Sequence, residues 1–271
     1  MTATIPAETS ADAPVLHRRD DRGVYWITLN QPKAFNVLSE EVLAHLQRQL
    51  DAIAADAGAR VLVIGAEGKA FCAGHDLKQM KASPRLDYYQ ALFAQCSQVM
   101  LSILKLPVPV IARVQGLATA AGCQLVAQCD MAVAVDSARF GVNGIDVGLF
   151  CSTPSVPLVR NMQPKQAMEM LVTGGFISAD EARSRGLVNR VVPADGLDAA
   201  VDEWVRAILA KPRDAIAAGK ELFYRQRELG IEAAYQLAGQ AMACNMMWDV
   251  AQEGVQAFID KRPPSWRSSG Q

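Results

Sequence analysis

Between residues 15 and 30 apolar side chains alternate, with Val24, Trp26 and Thr28 on one side, Tyr25, Ile27 and Leu29 on the other, and Asp20 to Gly23 separating two extended pieces. Period-two alternation around a polar turn predicts a β-hairpin. From Ser39 the period changes. Val42, Leu43, Leu46, Leu50, Ile53 and Ala54 recur at helical spacing behind Glu40 and Glu41, which predicts a helix starting at Ser39 with one face against a sheet. Residues 60–65 form a nearly unbroken apolar run, the pattern of a strand covered on both faces. Leu86, Tyr89, Phe93, Cys96, Met100, Ile103 and Leu104 mark a long amphipathic helix after Pro84, and 107–114 and 130–136 read as further strands. Three helical patterns lie within 164–212, with a start at Pro164, a stop at Gly174 and Gly175, a restart after Ser178 and a short strand over 187–192. From Pro212 onward the pattern is helical. Strand and helix alternate throughout the core, which predicts an α/β fold with right-handed connections and a ligand site at the strand ends.

Composition narrows the classes. A chain of 271 residues, about half of them apolar (51%), fits one large domain or a core with an appendage. The net charge of −1, with Lys and Arg scattered, gives no basic stripe and argues against nucleic acid as a partner. Six cysteines without C-x-x-C spacing read as reduced, mostly buried thiols in a cytoplasmic protein. Residues 1–13 are small and polar and lack both an apolar core segment and arginine, so they are expected to be a disordered tail rather than a targeting signal. No stretch is long and apolar enough for a membrane span.

Two short runs carry the candidate chemistry. Residues 116–130 pass from a strand exit through Ala118, Ala120, Ala121 and Gly122 into an apolar helix, and residues 71–78 form a second glycine loop, also following a strand. A run of small residues permits close helix packing, and it equally permits a ligand to approach free N–H groups at a helix start. The presence of two such loops favours the second reading, because an oxyanion hole needs donors from two places.

These features together resemble the crotonase superfamily of enoyl-CoA hydratases and isomerases. The resemblance spans roughly residues 14–266 and rests on 29–33, 69–77, 116–130, Phe140 and Gly141, 147–149, 168–188 and 258–262. The wording of 116–125 and 147–153 is similar to that of the enoyl-CoA hydratase domain-containing protein 3 subgroup. The resemblance implies a spiral of ββα units over 14–195 and a helical oligomerisation region over 196–271, assembled as a homotrimer or hexamer. It implies an acyl-CoA thioester as ligand, with coenzyme A part of the substrate and no separate cofactor or metal. In the family the thioester carbonyl is held by two backbone N–H groups, which fall here on His75 and Ala121. The His75 imidazole is then expected as a surface or pocket-wall group, with a pH-switched acid or base as the other reading. Lys33 matches a position that contacts coenzyme A near its phosphates. Ala73, His75 and Leu77 match the backbone clasp for adenine, and Phe258 and Lys261 match residues reaching a neighbouring subunit's coenzyme A. Tyr88, Tyr89, Phe93 and Phe150 are expected to frame an apolar acyl pocket.

The chain departs from a hydratase at the acids. The family's two catalytic glutamates fall on Gln124 and Gly144. An amide hydrogen-bonds water but takes no proton near neutral pH, and glycine offers no side chain. Asp146 is the nearest replacement carboxylate; in an extended segment it would share a face with Gly144 and point into the pocket, and otherwise it is a cap or surface acid. Asn143, Cys151 and Ser152 are further candidates for the wall, although Cys151 lacks a histidine partner for a nucleophilic role. A relative, 1,4-dihydroxy-2-naphthoyl-CoA synthase, also has glycine at the second position and recruits bicarbonate, so Gly144 is expected to leave room for a bound anion or water. The readings left open are an acyl-CoA enzyme with unusual proton chemistry, a non-catalytic acyl-CoA-binding or assembly protein, and, more weakly, a thioesterase.

Overall fold

The computed structural model describes residues 12–268, with side chains through Trp266; residues 1–11 of the expected tail lie outside the described part. The chain runs β1 (Val15–Arg19), β2 (Val24–Leu29), α1 (Glu40–Ala55), β3 (Val61–Ala66), β4 (Ala70–Cys72), α2 (Leu77–Ala82), α3 (Leu86–Lys105), β5 (Val110–Val114), β6 (Leu117–Thr119), α4 (Ala121–Gln128), β7 (Met131–Val135) and β8 (Arg139–Gly141). It continues through α5 (Ser152–Asn161), α6 (Pro164–Thr173), β9 (Ile177–Ser178), α7 (Ala179–Ser184), β10 (Arg190–Val192), α8 (Leu197–Leu209), α9 (Arg213–Gln226), α10 (Ile231–Met246), α11 (Asp249–Ile259) and α12 (Ser265–Ser268).

The strands divide between a six-stranded sheet, ordered β1-β2-β3-β5-β7-β10, and a four-stranded sheet, ordered β4-β6-β8-β9. Successive pairs β3/β4, β5/β6 and β7/β8 each give one strand to each sheet, which is the ββα spiral. The predicted hairpin is β1 and β2, antiparallel with Val15 opposite Leu29, and β2 to β10 continue in parallel pairs. Every residue of β3 is buried, as expected for a strand with helices on both faces. Helix α1 starts where its sequence predicts: Ser39 Oγ accepts the Val42 N–H at 3.2 Å, and the buried stripe is Val42, Leu43, Leu46, Leu50 and Ile53. Ala54 falls outside that stripe. Leu86, expected on the buried face of α3, is 73% exposed at the first turn. Ser178 forms a full capping box with Glu181, and Gly174 ends α6 in the left-handed conformation.

The helical C-terminal region is tied to the core by a buried ion pair. Lys220 Nζ of α9 donates to the Ile103 and Val108 carbonyls at 3.0 and 2.9 Å and to Asp130 Oδ2 at 2.6 Å. Asp130 also accepts from Tyr224 Oη at 2.7 Å and from the Val110 N–H at 2.6 Å. Every donor of the lysine is met, so the charge sits satisfied beneath the sheet. Beyond this anchor, Ile231, Tyr235, Met242, Met247 and Phe258 stand exposed. Among the described residues no helix is long and apolar enough to cross a membrane.

Candidate active site

β4 and β6 are parallel neighbours, with Ala70 opposite Leu117 and Cys72 opposite Ala118, so both glycine loops leave the small sheet at the same end. The loops then touch. Gly74 has φ +88°, and a Cβ there would come within 2.9 Å of Ala120 Cβ and 3.2 Å of the Ala121 nitrogen. A Cβ on Gly122 would meet the Cys72 carbonyl oxygen at 2.1 Å, so the first turn of α4 rests directly on the first loop. The two explanations of the small-residue run therefore coincide: tight packing is what sets the two loops' N–H groups beside each other.

Ala120 makes the turn from β6 into α4 at φ 50° and ψ −121°, outside the regions alanine prefers. Its N–H donates to the Gly141 carbonyl at 2.9 Å and its own carbonyl accepts the Gln124 N–H at 3.0 Å, so both ends of the strained residue are held. Among the described residues no acceptor meets the N–H of His75 or of Ala121. At Ala121 the positive end of the α4 dipole adds to the donor.

The first loop is clasped from outside by residues 35–38. Leu38 N–H donates to the Gly74 carbonyl at 2.7 Å, and Ala73 N–H donates to the Phe35 carbonyl at 3.0 Å. Phe35 and Asn36 both sit at φ 54°. Asn36, 2% exposed, makes this possible: its Oδ1 accepts the Gln31 N–H and its Nδ2 donates to the Glu67 and Ala70 carbonyls, all at 2.8 Å. The sequence reading missed Asn36, although asparagine is among the few residues enriched at positive φ.

His75 is half-buried and forms part of a wall. Its Nδ1 lies 3.3 Å from the Leu38 carbonyl, which only accepts, so Nδ1 carries the proton and Nε2 is a buried lone pair with no partner among the described residues. Burial depresses the His75 pKa, opposed by that hydrogen bond, and keeps the ring neutral. The ring meets Phe93 edge-on at 5.5 Å, and Phe93 stacks on Tyr89 at 6.4 Å, so α3 lines this side with aromatic rings. Lys33 and Asp76 share an open groove of about 710 Å³ with Gln79 and Ser39. Leu77, 55% exposed, opens α2, which Asp76 caps through the Lys78 and Gln79 N–H groups. Phe258 lines a separate groove with Pro212, Val250 and Trp266, and Lys261 follows at the end of α11; within one chain neither joins the loops. A further cavity of about 1020 Å³, between Leu101, Val156, Tyr224 and Trp248, lies at the other end of α4 and holds none of the predicted site residues.

The acid positions bring two corrections. Residues 143–147 form a 3-10 turn rather than an extended segment, so Gly144 and Asp146 do not share a face. Asp146 is exposed, and its carboxylate lies against Gly174, where a Cβ would meet Oδ1 at 2.6 Å. The expected room at Gly144 is also absent in its side-chain direction: a Cβ there would meet the Leu149 carbonyl oxygen at 2.4 Å and Cys151 Sγ at 2.8 Å. Gln124, by contrast, is 3% exposed, and its Oε1 has no hydrogen-bond partner among the described residues. Thr119 Oγ1 donates to Asn143 Oδ1 at 2.6 Å, fastening the second loop to the 143–147 turn. Phe150, 40% exposed, precedes Cys151, which is 6% exposed and caps the start of α5.

Comparison with known proteins agrees with this architecture. Residues 19–269 match the family profile described as enoyl-CoA hydratase/isomerase. The Mus musculus enoyl-CoA hydratase domain-containing protein 3, mitochondrial, is 43% identical over 261 residues, covering 96% of this chain and 87% of its own. Among solved structures, an enoyl-CoA hydratase from Mycobacterium smegmatis is similar with a TM-score of 0.93 and 59% identity, covering 94% of this chain and 99% of its own. Human enoyl-CoA hydratase domain-containing protein 3 superposes with a TM-score of 0.90 at 45% identity, over 93% of this chain and 100% of its own.

Proposed function

The chain belongs to the enoyl-CoA hydratase/isomerase family, the crotonase superfamily, and from that premise we propose that it binds an acyl-CoA thioester and stabilises the enolate of its acyl group. The observation that carries this reading is the junction of the two loops, where the unpartnered His75 and Ala121 amides leave adjacent parallel strands. Two fixed donors at a thioester oxygen hold charge as it develops on that oxygen, and losing one costs about 10²- to 10³-fold in rate. Lys33 would meet coenzyme A near its phosphates as a single cation, since Glu41 and Asp76 share its groove, Ala73, His75 and Leu77 would form the clasp for adenine, and Phe258 and Lys261 would act on a neighbouring copy's ligand in a homotrimer or hexamer.

Hydration by two carboxylates is not part of the proposal. Gln124 cannot accept a proton near neutral pH, Gly144 has no side chain, and the Asp146 carboxylate lies exposed against Gly174. The reaction supported best is proton removal and return at the α-carbon. Acyl-CoA incubated with the protein in D₂O is expected to gain deuterium at the α-carbon, read by mass spectrometry, while crotonyl-CoA is hydrated poorly. Rapid crotonyl-CoA hydration without α-exchange would overturn the reading. The loss of both acids also favours a second reading, a binding or assembly protein; tight acyl-CoA binding with no exchange would select it.

A further inference from the structure

The two amide donors of the site are held in different ways. Ala121 lies in the first turn of α4, fixed by the helix and by the seat of Gly122 on the Cys72 carbonyl. His75 lies in the loop 73–76 between β4 and α2, outside both elements. In that loop the Ala73 N–H donates to the Phe35 carbonyl and the Gly74 N–H to Cys72 Sγ at 3.4 Å, whereas the His75 N–H meets no acceptor among the described residues. Leu38 and His75 pair as a single parallel bridge, closed by the Leu38 N–H on the Gly74 carbonyl, and the Leu38 carbonyl meets the His75 ring at Nδ1. A bridge made through the residue before His75 turns the His75 N–H to the side away from residues 35–38.

We propose that Asn36 is the positioning residue of the His75 donor: its side-chain hydrogen bonds hold residues 35–38 along β4 and so fix where the His75 N–H points. The inference rests on the enolate reading given above. Asn36 Nδ2 bonds to the Glu67 and Ala70 carbonyls where the chain enters β4, while Phe35 and Leu38 bond to Ala73 and Gly74 where it leaves. Asn36 Oδ1 accepts the Gln31 N–H, and the Asn36 N–H donates to the Gln31 carbonyl at 3.0 Å, which closes the turn 31–36 on itself. Phe35 and Asn36 both stand at φ 54°, a backbone that residues other than glycine keep only where their surroundings impose it. Position 36 therefore asks for one acceptor and two donors, at positive φ, in a space that leaves the residue 2% exposed. Asparagine meets all of these demands at once.

Two substitutions separate the hydrogen bonds from the backbone. Asn36→Asp keeps the shape and the acceptor but loses both donors and sets a carboxylate against two carbonyl oxygens. Asn36→Gly adopts φ 54° without strain and loses all three side-chain bonds. In either variant Ala70 keeps a second partner, since Gln115 Nε2 also donates to its carbonyl at 3.1 Å, so β4 stays bonded and the change falls on the clasp. A catalytic donor has to lie within about 0.5 Å of its productive position. Loosening residues 35–38 therefore weakens an interaction that is strongest in the enolate-like transition state, which lowers turnover rather than affinity.

The test uses butyryl-CoA carrying ¹³C at the thioester carbonyl, bound to the full chain and to Asn36→Asp and Asn36→Gly, with α-exchange in D₂O and unfolding temperature measured for each. In the wild type the bound carbonyl resonance is expected downfield of free butyryl-CoA, as two donors polarise it. In both variants it should move back toward the free value, while exchange turnover falls about 10²-fold, the scale of one lost donor, and half-saturation stays within about threefold. The resonance reads the donor directly, so it decides the matter even in a protein that binds without exchange. Should the buried carboxylate of Asn36→Asp unfold the corner, Asn36→Gly gives the answer alone. A wild-type resonance in the folded variants, whatever happens to melting temperature or turnover, overturns the role of Asn36 and leaves the enolate reading standing. Butyryl-CoA bound to the wild type with an unshifted carbonyl removes both.

Discussion

Restoring the family's two carboxylates should fail to create a hydratase, and the reason lies in the backbone at residue 144. A side chain on Gly144 meets the Leu149 carbonyl oxygen 2.4 Å from its Cβ, and that residue's N–H is itself bonded to the Gly144 carbonyl at 2.9 Å. Cys151 Sγ, 2.8 Å away, is a second obstacle, but removing it leaves the first in place. Overpacking a fixed segment of this kind costs about 1–3 kcal/mol, which for a chain of this size lowers the melting temperature by about 2–4 °C per kcal/mol. Gly144→Glu should therefore melt several degrees below wild type, and Gly144→Glu with Cys151→Ala should recover only part of the difference. Gln124→Glu is isosteric and should fold, but in a pocket where the residue is 3% exposed its carboxyl stays protonated at neutral pH. Thermal melts and loss of the crotonyl-CoA enoyl absorbance measure both effects. A Gly144→Glu protein with wild-type melting temperature, or a Gln124→Glu/Gly144→Glu protein that hydrates crotonyl-CoA rapidly, would refute the argument.

The remaining expectations follow from single contacts. Asp146→Asn should leave α-exchange within about threefold of wild type, below the 10²-fold scale of acid–base help, because the carboxylate lies exposed against Gly174; a large loss would return it to the site. Lys220→Met removes the cation from a pair whose side chains are only 7% and 15% exposed. Breaking such a pair costs about 3–5 kcal/mol, and a loss of less than about 1 kcal/mol in the unfolding free energy from urea titration would contradict the anchor. His75 has a folded pKa below its ordinary 6.5, so the unfolded chain binds the proton more readily and stability falls as pH drops through and below 6.5. His75→Phe should flatten that acid limb in pH-dependent denaturation, and an unchanged limb would place the sensitivity elsewhere.

The large sheet was legible in the sequence because its strands are long and apolar enough to show a pattern: β2 alternates, β3 is a solid run, and α1 carries caps as well as a stripe. The small sheet was not. Its strands span only two or three residues, too few for either period to register, and they came only with the family resemblance. The glycine loops were visible as small-residue runs, but which residues they pack against was not, since Gly122 against Cys72 is a contact across fifty positions. The direction of Asp146 stayed open in the sequence because residues 143–147 hold no strong helix or strand signal, and a 3-10 turn rotates alternate residues apart where a strand would align them. Asn36 escaped because a buried polar side chain bonded to the backbone leaves no periodic trace.

The two halves of this site are written in different ways. Its donors are main-chain amides, placed by Gly74, by the strained Ala120 and by the packing of Gly122 on Cys72; no side-chain exchange at His75 or Ala121 removes an N–H other than one to proline. Its proton-handling groups are side chains, each open to replacement one at a time. A chain can thus keep the apparatus that holds a thioester oxygen while the groups around the α-carbon change character, and Gln124 with Gly144 is that situation. What the protein does with its ligand is then decided by whichever ionisable atom lies beside the held thioester. Of the candidates, Gln124 cannot ionise, Gly144 has no side chain, and the Asp146 carboxylate lies exposed against Gly174. With no carboxylate at residue 124 or 144, the reaction proposed is proton exchange at carbon rather than addition of water across a double bond, and α-deuteration of a saturated acyl-CoA in D₂O without hydration of crotonyl-CoA is the outcome expected of it.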